Sequence, residues 1–304
     1  LNNADGRNSP DDRLESLIKA VQTGGDQGAR ALKVNYEAYL LLAEVRDLVF
    51  LDQTTNRQAT HQNPINRMGR KCFSQSDEDG ITLEILKRIG KLDAGVFVEF
   101  GIGNGLENNT LVLAALGWRG IWVGNEDLAV SLDGVDKTKF SFAKTWITRD
   151  NAAGVAQRGL HQIGADVPNL VSVDLDGNDL HVLRALLEAD ILPDVYVAEY
   201  NGKFPPPVRF EIEYDPEHVW RGDDHFGASL CSLDDLFSQF GYRLVCCNSQ
   251  TGNNAFFVRH DHCDKFADIP ADLEKIYVPP RLHLGGRFGH STSTETARLI
   301  LSRL

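Results

Sequence analysis

The chain has 304 residues, 42% hydrophobic and 24% charged, which is room for one large α/β domain with an accessory segment or for two small domains. Its 31 Lys and Arg against 43 Asp and Glu leave a formal charge of −12, a field that repels nucleic acid, and with no Lys/Arg cluster to offset it nucleic acid is not expected as a partner. The longest apolar run, Tyr39–Ala43, meets Glu44, Arg46 and Asp47 well short of the roughly 18–20 residues that span a bilayer, so no membrane span is expected.

Leu1 opens a polar Asn/Asp stretch in place of a secretory signal, and the missing Met points to a trimmed chain or a piece of a longer polypeptide. The first segment, to about residue 28, holds a helical patch at Leu14, Leu17, Ile18 and Val21. Over 29–52, Leu32, Tyr36, Tyr39, Leu40, Ala43, Val45 and Val49 predict a longer amphipathic helix, and the polar stretch Asp52–Arg70 reads as a linker. Residues 1–70 are thus expected to form a helical arm, either capping the main domain or serving as lid, dimer arm or tether. A homo-oligomer or a fusion to another domain would follow from the last two roles.

The main domain is expected over 71–304. Helices are predicted at Glu78–Gly90, Thr110–Leu116, Ala153–Ile163, Leu180–Ala189 and Leu233–Phe240. Between them lie strand-like runs at Val96–Phe100, Ile121–Val123, Trp146–Thr148, Leu170–Asp174 and Val195–Glu199, an alternation that gives a parallel sheet covered on both faces. Two final strands, Tyr242–Cys247 and Ala255–Arg259, are separated by a joint that permits a hairpin and not a crossover. The expected fold is therefore α/β, a Rossmann-like class I methyltransferase sheet of five parallel strands plus a C-terminal antiparallel hairpin. Cys72, Cys231, Cys246, Cys247 and Cys263 form an odd set without a CxxC pair, so reduced thiols in a cytoplasmic protein are expected.

The first strand runs into Glu99-Phe-Gly101-Ile-Gly103-Asn104-Gly105. Glycines permit a tight turn and close approach of a ligand, but a dinucleotide turn needs its third glycine where this chain has Leu106, which disfavours an NAD-linked oxidoreductase. An acid followed by Gly-x-Gly-x-Gly suits S-adenosylmethionine, with Glu99 near its ammonium or sulfonium. Glu126, about twenty residues further on, is placed to accept the ribose hydroxyls, and Asp150 and Asn151 to meet the adenine edge.

The chain resembles the FkbM-like branch of class I methyltransferases in Ser74–Gly80, Val98–Gly105, Gly117–Trp122, Val173–Asp179, Ala198–Asn201 and Phe226–Ser229, covering roughly residues 72–260. The resemblance implies O-methylation of hydroxyls on sugars or natural products. It departs from the family at Gly124-Asn125, where relatives carry an acid directly after the second strand. The expected cofactor set is Gln75, Glu99, Gly101, Gly103, Asn104, Gly105, Asn109, Glu126, Asp150, Asn151 and Asp174.

Asp174 and Asp176 end the fourth strand, and Glu199 and Asn201 end the fifth. Asp174 and Asp176 can act as a base toward a hydroxyl, or the four oxygen donors can hold Mg²⁺. Asp176-Gly-Asn178 can equally form an Asx turn, with Asn178 and Asp179 structural. The insertion 204–229 is expected to form the acceptor pocket, with His225 as general base and Asn201, Lys203, Tyr214, Trp220 and Asp224 binding a small-molecule or glycan acceptor. The tail from Arg281 to His290 either covers a phosphate-bearing acceptor or wraps the domain. The rival reading is a non-catalytic binding module of a larger assembly that uses the same fold without turnover.

Overall fold

The computed structural model describes residues 26–281, with side chains from residue 32 onward. The patch at Leu14–Val21 and the tail from residue 282 lie outside the described residues. Backbone packing divides the chain after Asn56 into two compact units.

In the first unit, helix α1 (Asp26–Thr60, 35 residues) begins earlier and ends later than predicted, and continues from there into the second unit. Nothing between Gln53 and Thr60 breaks a helix, the next proline after them being Pro64, so polar composition alone misread this stretch as linker. Nor is there a single apolar stripe: Val34, Tyr39, Leu42, Leu48 and Leu51 are all exposed.

The second unit starts at Arg57. After α1 comes a 3₁₀ turn (Pro64–Met68) capped by Asn63, whose side chain accepts from Ile65 N. Asn63 Nδ2 donates to Val245 O at 2.7 Å and Asn66 Nδ2 to Cys247 O at 2.8 Å. Both asparagines are buried, so the remainder of the supposed linker is pinned to the sheet by its polar groups.

The elements that follow are α2 (Glu78–Ile89), β1 (Val96–Phe100), α3 (Leu111–Ala115), β2 (Arg119–Gly124), β3 (Phe140–Lys144), α4 (Ala152–Gln162), β4 (Leu170–Val173), α5 (Asp179–Glu188), β5 (Val195–Glu199), α6 (Leu230–Gln239), β6 (Tyr242–Cys247) and β7 (Asn254–Arg259). They make one seven-stranded sheet in the order β3-β2-β1-β4-β5-β7-β6. β1 to β5 are parallel, and β7 inserts antiparallel between β5 and β6. This is the expected class I methyltransferase sheet. Its central strands are buried throughout, as continuous apolar runs in a parallel sheet require.

One strand is misplaced in the sequence reading. β3 is Phe140–Lys144, while Trp146-Ile147-Thr148 lies beyond its end. The apolar pair Trp146-Ile147 carries the strand signal in sequence, yet it lines a cleft, whereas the true strand is interrupted by Ser141, ends on Lys144 and reads weakly.

The Ser74–Gly80 motif is a clamp. Asp79 Oδ2 accepts from the backbone N–H groups of Cys72, Phe73 and Ser74 at 2.7, 2.6 and 2.9 Å. Asp77 accepts from Ser249 N and Gln250 N, and Glu78 from Asn248 and Asn254 side chains, which ties α2 to the hairpin joint. Asp79→Ala strands those three donors, and urea unfolding should show a loss of about 3 kcal/mol. A change below about 1 kcal/mol would show that the loop does not depend on this carboxylate.

Candidate active site

At the end of β1 the backbone turns through Gly101 at φ +86°. A Cβ there would lie 1.5 Å from the Asp174 carbonyl oxygen, so the turn and the end of β4 approach as only glycine allows. Gly101 N donates to Val123 O at 2.9 Å and Asp174 N to Phe100 O at 3.1 Å, fastening the ends of β1, β2 and β4 together. An open cleft of about 150 Å³ lies at this carboxyl edge. Its walls are Gly101 and Gly103, Gly124 to Glu126 after β2, Thr145 to Ile147 after β3, Asp174 to Asp176 after β4, Asn178, and His218 from the insertion. The edge where strand order reverses is the usual ligand site of an open α/β sheet.

Of the expected cofactor residues, the cleft brings together Gly101, Gly103, Glu126 and Asp174. The departure at Gly124 has a steric cause: a Cβ there would stand 2.9 Å from Ile102 Cγ1, and the carboxylate on the cleft wall comes from Glu126. The others are engaged elsewhere. Glu99 is buried and points to the start of α3, accepting from Asn109 N at 2.7 Å, Thr110 N at 3.1 Å and the Thr110 hydroxyl. An acid at a strand end is equally suited to a helix N-terminus, and here the helix takes it. Asn109 donates to Ser172 Oγ, Asn104 accepts from Leu106 N, and Gly105 closes the turn by donating to Ile102 O. Gln75 is exposed and off the cleft wall, its carbonyl accepting from Lys71. Asn151 is the N-cap residue of α4, its side chain bonded to Thr148 N and Trp146 O, and Asp150 lies near Arg149. Beyond the end of β3 the cleft wall is formed by Thr145, Trp146 and Ile147.

The acidic rim is assembled from two strands. One oxygen each of Asp174, Asp176 and Glu199 lies within 4.8 Å of the other two. Asp176 sits in the left-handed region at φ +53°, a conformation Asp tolerates better than most residues. Asn201, expected as a fourth ligand, is buried and hydrogen-bonded to the insertion. Its Nδ2 donates to Asp224 O and Phe226 O and its Oδ1 accepts from Lys203 N, so the amide folds the insertion. Asp179 is structural, as expected, but as the first residue of α5 with Asn178 at the N-cap, its carboxylate accepting from Leu175 N and Gly177 N of the preceding turn.

The expected acceptor residues are likewise committed. Lys203 pairs with the fully buried Asp224, and Trp220 Nε1 donates to Asp223 O. Tyr214 carries the Arg149 guanidinium 4.0 Å above its ring, and its buried hydroxyl has no hydrogen-bond partner. His225 is off the cleft wall, its ring 6.2 Å from that of His218. The histidine beside the acids is His218, packed against Gly177, where a Cβ would meet its ring at 2.3 Å. A loop histidine has no spacing code, so only the folded insertion distinguishes the two.

Burial and the neighbouring carboxylates push Asp174 and Glu199 well above the ordinary carboxylate range. Burial raises Asp176 too, against the pull of His218, while burial and His225 lower His218. Glu99 is pushed up to about 7 and Asp179 to about 6, burial outweighing the donors that face each of them. Acids with raised folded-state pKa values stabilise the fold at low pH, and that contribution is lost as pH rises through the folded pKa. The melting temperature of the ligand-free protein should therefore fall between about pH 5 and about pH 8. A rising profile would contradict this charge assignment.

No protein-family model and no curated protein sequence matches the chain. Among solved structures it is similar to an O-methyltransferase family 2 protein from Planctomyces limnophilus in complex with apigenin, at 10% identity over 70% of this chain and 61% of that one, TM-score 0.32. It is similar to CalO1, a methyltransferase in calicheamicin biosynthesis in its SAH-bound form, at 13% identity over 74% of this chain and 60% of that one, TM-score 0.30. A candidate hemolysin from Lactococcus lactis is also similar, at 11% identity over 58% of this chain and 84% of that one, TM-score 0.35. The chain thus spans about three fifths of the length of each methyltransferase. The fold assignment rests on the strand order itself. Among the described residues, no helix is long and apolar enough to cross a membrane.

Proposed function

We propose that the chain is an S-adenosylmethionine-dependent methyltransferase acting on a hydroxyl, on a sugar, glycan or glycosylated metabolite. The observation that carries this reading is the cleft between the glycine turn and the end of β4, walled by Glu126 and Asp174. The residues suit the donor: Gly101 and Gly103 present bare backbone, Ile147 and Leu175 are apolar neighbours for a base, and Glu126 is an acceptor for ribose hydroxyls. When bound, the donor supplies an electrophilic methyl group.

The chain's own share of the chemistry is orientation and removal of one proton. Asp174 and Asp176 stand on the cleft wall with raised proton affinity, which brings a carboxylate closer to the ideal of a base working near neutrality. Either carboxylate would accept the proton of an acceptor hydroxyl held beside it, while the donor would supply the methyl group and leave as a neutral thioether. Trp146 Nε1 donates to Pro216 O at 2.7 Å, holding the insertion against the end of β3 and narrowing the cleft on that side. The test is incubation with methyl-labelled donor and a panel of hydroxylated glycans and glycosides. Label transferred to a hydroxyl supports the reading. Donor binding without transfer across the panel supports the alternative, a non-catalytic binding module.

A further inference from the structure

One aromatic side chain on the cleft wall is not accounted for by packing. Of the four tryptophans, Trp118 and Trp122 are buried, and Trp220 rests its ring against Phe226. Trp146 stands in the cleft with 43% of its surface exposed. A large indole left in water forgoes the burial that usually holds it, yet this one is held firmly. Trp146 Nε1 donates to Pro216 O at 2.7 Å, Asn151 Nδ2 donates to Trp146 O at 2.9 Å, and the neighbouring Thr145 N donates to Gly124 O at 2.8 Å. Ring and backbone are both fixed, and the indole's only polar atom is spent. What it offers a ligand is a flat apolar face. A side chain fixed without being buried is a preorganised contact.

We infer that Trp146 is the platform for the acceptor: a pyranose ring lays its C–H face on the indole and turns a hydroxyl toward Asp176. The neighbours of the indole decide for a sugar. Asp176, which is exposed, and His218 of the insertion line the same cleft. An apolar plane beside a carboxylate and an imidazole matches a ligand with one apolar face and a hydroxylated edge. A purely aromatic ligand would cover the indole but give the carboxylate and the imidazole no hydrogen bond. The donor's base already has Ile147 and Leu175 for apolar neighbours. Lys203 and Trp220, expected to bind the acceptor, are tied to their own loop. Pro216 belongs to that insertion, so the bond that fixes the indole also joins the platform to the loop. The inference rests on the methyltransferase reading of the cleft and adds the residue that selects a sugar ring.

The experiment titrates the full chain with the methyl glycosides of glucose, galactose, mannose and rhamnose, with and without saturating S-adenosylhomocysteine. Tryptophan emission reports contact with the indole, and saturation-transfer NMR on the glycoside reports affinity. At least one glycoside should bind with a Kd in about the millimolar range and change the emission. Trp146→Phe keeps a flat ring, so it should abolish the emission change yet hold affinity within about threefold. Trp146→Leu, apolar but not planar, should weaken the glycoside about tenfold and leave the affinity for S-adenosylhomocysteine within about twofold. Thermal melts establish that each variant is folded, and should Trp146→Leu not fold, the emission change lost in Trp146→Phe carries the comparison. No glycoside binding in either condition, an emission change that persists in Trp146→Phe, or undiminished binding in folded Trp146→Leu overturns the inference. So does a Trp146→Leu variant that loses S-adenosylhomocysteine and keeps the glycoside, since the indole would then belong to the donor's base. One arm uses no donor, so failure of donor binding sinks the methyltransferase reading and leaves the glycoside result to be read by itself. Absence of glycoside binding with donor binding intact removes the platform alone.

Discussion

Gly101→Ala should abolish binding of S-adenosylmethionine and destabilise the fold by about 3 kcal/mol, the larger class of single-residue effect. The added methyl would have to occupy a point 1.5 Å from the Asp174 carbonyl oxygen. No rotamer relieves that contact, because Cβ is fixed by the backbone, and the residue also sits at φ +86°, where an L side chain is strained. The chain's remaining choice is to part the glycine turn from the end of β4. That movement breaks the bond from Gly101 N to Val123 O and drives the turn into the cleft. Urea unfolding and calorimetry with the donor read the two consequences separately. Wild-type affinity in Gly101→Ala would mean the turn does not shape the donor site.

Asp174→Asn should lower turnover by about 10²- to 10⁴-fold, the usual contribution of a positioned acid or base, with donor affinity changed by less than about tenfold. The amide keeps the size of the carboxyl group but cannot take a proton. Stability should move the other way. Asp174 is held well above its ordinary pKa by burial and by Asp176, Asp179, Glu99 and Glu78. Removing its charge relieves that repulsion, so the variant should melt higher than wild type at neutral pH. Lower activity with higher stability is the pattern of a residue retained for chemistry at the expense of the fold. Turnover near wild type would place the chemistry elsewhere; lower turnover with a lower melting temperature would instead assign Asp174 a structural role.

Much of the architecture was legible because it is written in patterns of many residues. The β1 run Val96–Phe100 is apolar at four of five positions, and the joint between β6 and β7 is too short for a crossover, so strand direction followed from sequence. Gly101, Gly103, Glu126, Asp174, Asp176 and Glu199 were legible as strand-end residues, and the fold gathers all six around one edge. What failed were single polar residues. Asn63 and Asn66 read as linker amides and Asn201 as a ligand-binding one, and each is buried and bonded to a backbone carbonyl distant in sequence. Glu99 has the right spacing for a ligand contact, but the start of α3 lies closer and offers two N–H groups. His218 and His225 are equivalent in sequence and differ only in which one the insertion turns toward Asp176. Hydrogen-bond partners distant along the chain leave no periodic trace, and that is where sequence reading stops.

Titration calorimetry with S-adenosylhomocysteine tests the central claim most directly. The account predicts one site per chain with a Kd in about the micromolar range, weakened at least about tenfold by Glu126→Ala. No heat of binding from either S-adenosylhomocysteine or S-adenosylmethionine, with the protein shown to be folded, would contradict it.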